Sequence, residues 1–135
     1  MLVRDLMTEQ VLALGPNSTL QEVDDLMQER HIRHVPVVDH QGDLIGLISH
    51  RDLLRNSLIE QGELPSYVEN AVLTRLHARD VMVTSVEAVA PETDLREAAQ
   101  IMLENKYGCL PVVEGRRLVG ILTEADFVRL LAQGN

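Results

Sequence analysis

The 135-residue chain is 45% hydrophobic with a formal net charge of −9, enough apolar material for one sizeable core and, by length, for a single domain or two very small halves. Aromatic residues are only 2% of it, so the acidic surface has neither the basic footprint nor the stacking platforms of an autonomous nucleic-acid binder, and nucleic acid is not expected as a partner. No apolar run approaches the ~18 residues of a membrane span, and Asp5 and Glu9 fall where a signal peptide needs unbroken apolar sequence; a cytoplasmic protein without membrane contact is expected.

After a short leading segment that ends in Asp5-x-Met7, the run Val11–Leu14, stopped by Gly15-Pro16, reads as a short strand and turn. A helix follows. Thr19-Leu-Gln-Glu22 fits a capping box, and Leu20, Val23 and Met27 recur at helical spacing to bury one stripe while Asp24, Asp25, Gln28 and Glu29 stay wet. "VPVVD" and "LIGLIS" then read as two strands of a hairpin across His40-Gln41-Gly42-Asp43, and a last helix from Arg51 carries Leu53-Leu54. In "LIEQGELPSYVENAVLTRLH", Gly62 and Pro65 interrupt any continuous helix while Val68, Val72 and Leu76 keep a loose helical spacing, which predicts a partly helical connector.

The same grammar then returns. Sliding the chain by 75 puts Arg4-Asp5-x-Met7 on Arg79-Asp80-x-Met82, Pro16 on Pro91, Met27 on Met102 and Pro36-Val37-Val38 on Pro111-Val112-Val113. One deletion later, "GLISHRD" (Gly46 to Asp52) falls on "GILTEAD" (Gly120 to Asp126), and Arg55 on Arg129. The second copy has its own short strand, Val86–Val89, and its own capping box, Asp94-Leu-Arg-Glu97. Its stripe is Leu95, Ala98 and Met102, its hairpin turns at Gly115-Arg116-Arg117, and its final helix, from Ala125, carries Phe127-Val128 and Leu130-Leu131. The expected organisation is a first repeat over 1–56, the connector over 57–77 and a second repeat over 78–135, each repeat a strand, helix, strand, strand and helix. Cys109, alone of its type and at a strand entrance, excludes an internal disulfide and reads as a buried, inert thiol in a reducing compartment.

The Asp-x-Met lead, the Pro-Val-Val strand and the glycine-bearing strand ending in Ser/Thr-x-x-Asp together resemble the CBS domain, and two in tandem resemble a CBS pair, or Bateman module. Any one motif is weak, but their order, spacing and repetition are specific. The resemblance spans about Val3 to Asn56 and Ala78 to Leu131, so a regulated protein is expected in trans. It implies an α/β (α+β) fold of two CBS units packed about a pseudo-twofold axis, with clefts between them, and association of two pairs. It also implies adenosine-containing regulatory ligands, AMP, ADP or ATP, with S-adenosylmethionine as an alternative, and no required cofactor.

The residues supply a physical reason. An ionised carboxylate accepts two hydrogen bonds at once, so Asp52 or Asp126 could hold the adjacent 2′ and 3′ hydroxyls of a ribose, with Ser49 or Thr123 beside it. Ser49-x-x-Asp52 and Thr123-x-x-Asp126 also resemble capping boxes, and the hydroxyls could serve both purposes. Around the first copy gather Arg30, His31, Arg33, His34, His50 and Arg51, and arginine grips phosphate with paired donors. The second copy offers Lys106, and its motif encloses Glu124-Ala125 instead of His50-Arg51. The resemblance further implies backbone contacts to adenine from His34-Val35 and Cys109-Leu110 and from the segments after Met7 and Met82.

Other chemistry is not expected. His31, His34 and His50 are joined by no cysteine and by no patterned supporting partner of the kind that orients metal-bound imidazoles. Ser49, His50 and Asp52 have the types of a catalytic triad, but neighbouring side chains on a strand point apart. There is no Gly-rich phosphate loop. The chain therefore reads as a ligand sensor rather than an enzyme, with a structural dimerisation module bearing vestigial sites as the alternative. The apolar residues Leu53, Leu54, Leu58, Phe127, Val128, Leu130 and Leu131 of the closing helices predict a homodimer.

Overall fold

The computed structural model describes residues 1–56 and 74–133. Its elements, in chain order, are helices α1 (Val3–Leu6) and α2 (Leu20–Arg30), strands β1 (His34–Val38) and β2 (Leu44–Ser49), helices α3 (His50–Asn56), α4 (Ala78–Val81) and α5 (Leu95–Asn105), strands β3 (Cys109–Glu114) and β4 (Arg117–Thr123), and helix α6 (Glu124–Ala132). The mixed helix-and-hairpin grammar expected of each repeat is present. Most of the expected connector, with Gly62, Pro65, Val68 and Val72, lies outside the described residues, as does Leu58.

Two compact units form. One is continuous, Leu12–Val86, and the other is split, Met1–Val11 with Glu87–Asn135. The split follows from where the leading segments dock: α1, from the start of the first repeat, packs with the second repeat's hairpin, and α4 packs with the first repeat's. In the split unit the amides of Val3 and Arg4 donate to the carbonyls of Thr93 and Pro91 (2.8 and 3.0 Å), and in the continuous unit those of Ala78 and Arg79 donate to Ser18 and Pro16 (2.7 and 3.0 Å). The Asp of each Asp-x-Met lead closes its own helix start, Asp5 accepting from the Leu2 amide and Asp80 from the His77 amide, both at 2.8 Å.

Each sheet is built on an antiparallel hairpin, β1 with β2 and β3 with β4, and both hairpins carry an irregularity at the same place, Val37/Val38 and Val112/Val113. The short strands expected over Val11–Leu14 and Val86–Val89 are reduced to single parallel bridges, Leu14 to Val37 and Val89 to Val112. Pro16 and Pro91 turn the chain away almost at once, which leaves no length for a ladder. The opposite edge of each sheet receives an antiparallel bridge from the residue after each Met, Thr8 on Ile121 and Val83 on Leu47.

The amphipathic stripes bury as their spacing requires. Leu20, Val23 and Met27 pack with Val35, Val37, Ile48 and Leu53 in the continuous unit; Leu95, Ala98 and Met102 pack with Val3, Leu110, Val112 and Leu122 in the split one. Each fully buried side chain of this kind contributes about 1.5 to 3 kcal/mol. Thr19 and Glu22 form the full capping box. In the second copy Asp94 accepts from the Arg96 amide at 2.8 Å, and Glu97 makes no return bond among the described residues. Leu53 proves to be core, Leu54, Phe127 and Leu130 are half-buried, and Val128 and Leu131 are 65% and 81% exposed.

Candidate functional site

The two Ser/Thr-x-x-Asp motifs sit where a strand ends and a helix begins. In the continuous unit Ser49 closes β2 directly opposite His34, with Ile48 opposite Val35. In the split unit Thr123 closes β4 opposite Cys109, with Leu122 opposite Leu110. The motif's second residue is tied to the residue before the entering strand: the His50 amide donates to the Arg33 carbonyl at 2.7 Å, and the Glu124 amide to the Gly108 carbonyl at 3.2 Å. Strand entrance, strand exit and helix start thus converge at one end of each hairpin.

Both motifs are capping boxes. Asp52 Oδ2 accepts from the Ser49 amide and hydroxyl, each at 2.8 Å, while Ser49 Oγ accepts from the Asp52 amide at 3.1 Å. Asp126 Oδ2 accepts from the Thr123 amide (2.8 Å) and hydroxyl (3.1 Å), and Thr123 Oγ1 accepts from the Asp126 amide at 3.4 Å. The two differ in depth. Asp126 is only 3% exposed, whereas Asp52 is half-buried. Asp126 Oδ1 also accepts from the Arg129 guanidinium, one turn further along α6.

Three arginines of the first repeat are exposed. Arg30 ends α2, Arg33 precedes β1, and Arg51 lies in the first turn of α3; His34 and His50 are half-buried. His31 and Lys106 occupy equivalent helix ends in the left-handed conformation, φ 54° and 59°, where glycine is usual. Among the described residues Arg30, Arg33, Arg51 and Lys106 form no ion pair. Under the 75-residue shift the positions of Arg30 and Arg33 fall on Asn105 and Gly108, so the second repeat lacks arginine at both matching positions.

The strand entrances are apolar. Val35 and Leu110 are fully buried, and burial pushes the Cys109 thiol up to about 12, so it remains a neutral, unreactive group at working pH. Two residues upstream, the Tyr107 hydroxyl is raised above its ordinary value by desolvation and by the charge of the Glu87 carboxylate. The segments after the two methionines separate by unit: Thr8 joins β4, the strand that ends in Thr123, and Val83 joins β2, the strand that ends in Ser49. Sequence reasoning paired Arg129 with Arg55 as repeat equivalents without giving Arg129 a role; its i+3 spacing from Asp126 on a helix was the available signal. Among the described residues no three His, Cys, Asp or Glu side chains cluster as metal ligands, and no helix is long and apolar enough to cross a membrane.

The CBS domain family profile matches residues 3–59 and 78–133. An uncharacterized protein of Methanocaldococcus jannaschii is 34% identical over 96% of the chain, and the chain spans 42% of that relative's length. Among solved structures, a Vibrio cholerae protein named for acetoin utilization (AcuB) superposes with a TM-score of 0.84 at 38% identity, covering 98% of this chain and 91% of that one. The Arabidopsis thaliana CBS-pair protein CBSX2, solved in complex with AMP, superposes with a TM-score of 0.80 at 30% identity, covering 98% and 96%.

Proposed function

Because the chain belongs to the CBS domain family and carries two copies of the domain, we propose that it is a regulatory module that binds adenosine-containing ligands, AMP, ADP or ATP, and passes their occupancy to a partner protein. One observation carries this reading. In each unit a buried apolar strand entrance, a Ser/Thr hydroxyl and a carboxylate meet at one hairpin end, which is the set of groups that a purine and a ribose need together. The AMP complex of a protein 30% identical to this chain supports the ligand class.

In this reading Asp52 and Asp126 hold ribose hydroxyls, His34-Val35 and Cys109-Leu110 meet the base, and Arg30, His31, Arg33, His50, Arg51 and Lys106 meet phosphate. The chain performs no reaction of its own and works in the cytoplasm, in keeping with its single buried thiol. Calorimetric titration with adenosine, AMP, ADP, ATP and guanosine nucleotides tests it: saturable binding of the adenine series, weakened for 2′-deoxy forms, is expected. Absence of binding across the panel overturns it in favour of a structural pair with vestigial sites.

The sensor is also proposed to be a homodimer. Val128 and Leu131, three apart on one face of α6 and largely exposed, offer an apolar strip that the same strip of a second copy can cover in a twofold dimer. Light scattering that stays at the 15.1 kDa of one chain from micromolar to millimolar concentration sinks this assembly.

A further inference from the structure

Asp126 is nearly saturated without any ligand. A carboxylate offers about four lone-pair positions, and the Thr123 amide, the Thr123 hydroxyl and the Arg129 guanidinium take three of them, two on Oδ2 and one on Oδ1. Two ribose hydroxyls require two vacant positions. With Arg129 in place only one remains, and the carboxylate is 3% exposed. The capping bonds belong to the backbone turn itself, so the group able to leave is Arg129, whose side chain is 59% exposed and whose guanidinium water can rehydrate.

We infer that Arg129 is a competing internal ligand for the ribose site of the split unit: an adenosine ligand binds Asp126 Oδ1 by displacing the guanidinium. The inference rests on the ribose reading above and adds its regulation. The exchange is an ion pair for two charge-assisted hydrogen bonds, so no bond is made or broken covalently. Its output is local. Arg129 lies between Val128 and Leu131 on α6, both mainly exposed, so release of its charge alters the face of α6 that a partner would read. A carboxylate that trades a surface cation for a neutral sugar is thus a route from occupancy to surface.

The test uses the full chain carrying Asp52→Asn, so that the Asp126 site is read alone, and adenosine as the probe, because it has no phosphate for Arg129 to attract. Adding Arg129→Met is expected to tighten adenosine binding about three- to tenfold, the strength of a partly exposed ion pair. It should also lower the melting temperature, because a buried carboxylate loses its partner. Raising ionic strength from about 0.05 to 0.5 M should tighten adenosine binding in the Arg129 chain by screening the pair, and much less in the Arg129→Met chain. If Arg129→Met folds poorly, Arg129→Lys, which keeps the charge but loses the planar fork, should tighten binding to a smaller degree.

The outcomes separate. Binding that is abolished by Asp126→Asn yet unchanged or weakened by Arg129→Met leaves the ribose reading standing and overturns the competition. Binding indifferent to Asp126→Asn overturns both. Binding that is undetectable in the Arg129 chain and emerges on Arg129→Met supports competition in its strongest form.

Discussion

Met82 lies across Gly46, so that a Cβ built on this glycine would stand 2.5 Å from the methionine Sδ and 3.0 Å from its Cβ. The relationship recurs in the other unit, where a Cβ on Gly120 would stand 2.6 Å from Met7 Sδ and 3.2 Å from the Thr8 carbonyl oxygen. The glycine of each hairpin is therefore a seat for the methionine of the other repeat's lead. The phrases that recur in the sequence are two halves of one contact, exchanged between copies.

Gly46→Ala should destabilise the chain by about 1 to 3 kcal/mol, the usual cost of overpacking, and Met82→Ala in the same chain should recover a large part of the loss. Urea unfolding of the single and double variants reads the coupling. Additive losses would mean that Met82 is not what Gly46 makes room for. Gly120→Ala with Met7→Ala should recover less, since the Thr8 carbonyl is backbone and cannot swing aside.

Asp52→Asn should weaken AMP and ATP binding by about 1.5 to 3 kcal/mol, roughly ten- to a hundredfold, through loss of a charge-assisted acceptor. Asp126→Asn should cost these phosphorylated ligands less, because the first repeat carries Arg30, Arg33 and Arg51 where the second has Asn105, Gly108 and Ala125. Calorimetry decides between them. Folding should survive both, since the loss of a cap costs only about 1 kcal/mol.

His31 and Lys106 hold left-handed helix ends at φ 54° and 59°, a conformation that costs a residue with a Cβ about 1 to 2 kcal/mol. His31→Gly and Lys106→Gly should therefore raise the melting temperature in thermal scans while weakening ATP more than adenosine. A stabilised His31→Gly chain that binds ATP as well as before would remove His31 from the proposed phosphate contacts.

Cys109, with its thiol pushed up to about 12 by burial, should resist thiol reagents at pH 8 in the folded chain and react promptly in urea. The unfolded thiol ionises near pH 8.5, roughly, and the folded one only near 12, so the unfolded state binds fewer protons between these values. The stability linked to this group is full below about pH 8.5 and is lost as pH rises toward 12. Cys109→Ala should flatten that part of the unfolding profile; an unchanged slope would show that Cys109 does not contribute to it.

The duplication, the amphipathic stripes of α2 and α5, the two hairpins and the helix starts at Ser49-x-x-Asp52 and Thr123-x-x-Asp126 were all legible in the sequence, because each is set by local periodicity, turn chemistry and capping within a few residues. The short strands over Val11–Leu14 and Val86–Val89 were not: apolar runs look alike whether they form a ladder or a single bridge, and Pro16 and Pro91 settle it only once the partner strand is known. Nor could any local rule say that Met82 seats on Gly46 and Met7 on Gly120, since the choice between same-copy and cross-copy docking is made by shape complementarity over long sequence separation. The depth of Asp126 and its ion pair with Arg129 belong to the same class. Spacing put the two side chains on one helix face, but only the packing around α6 decided that the carboxylate would be buried, and a buried carboxylate must keep a partner.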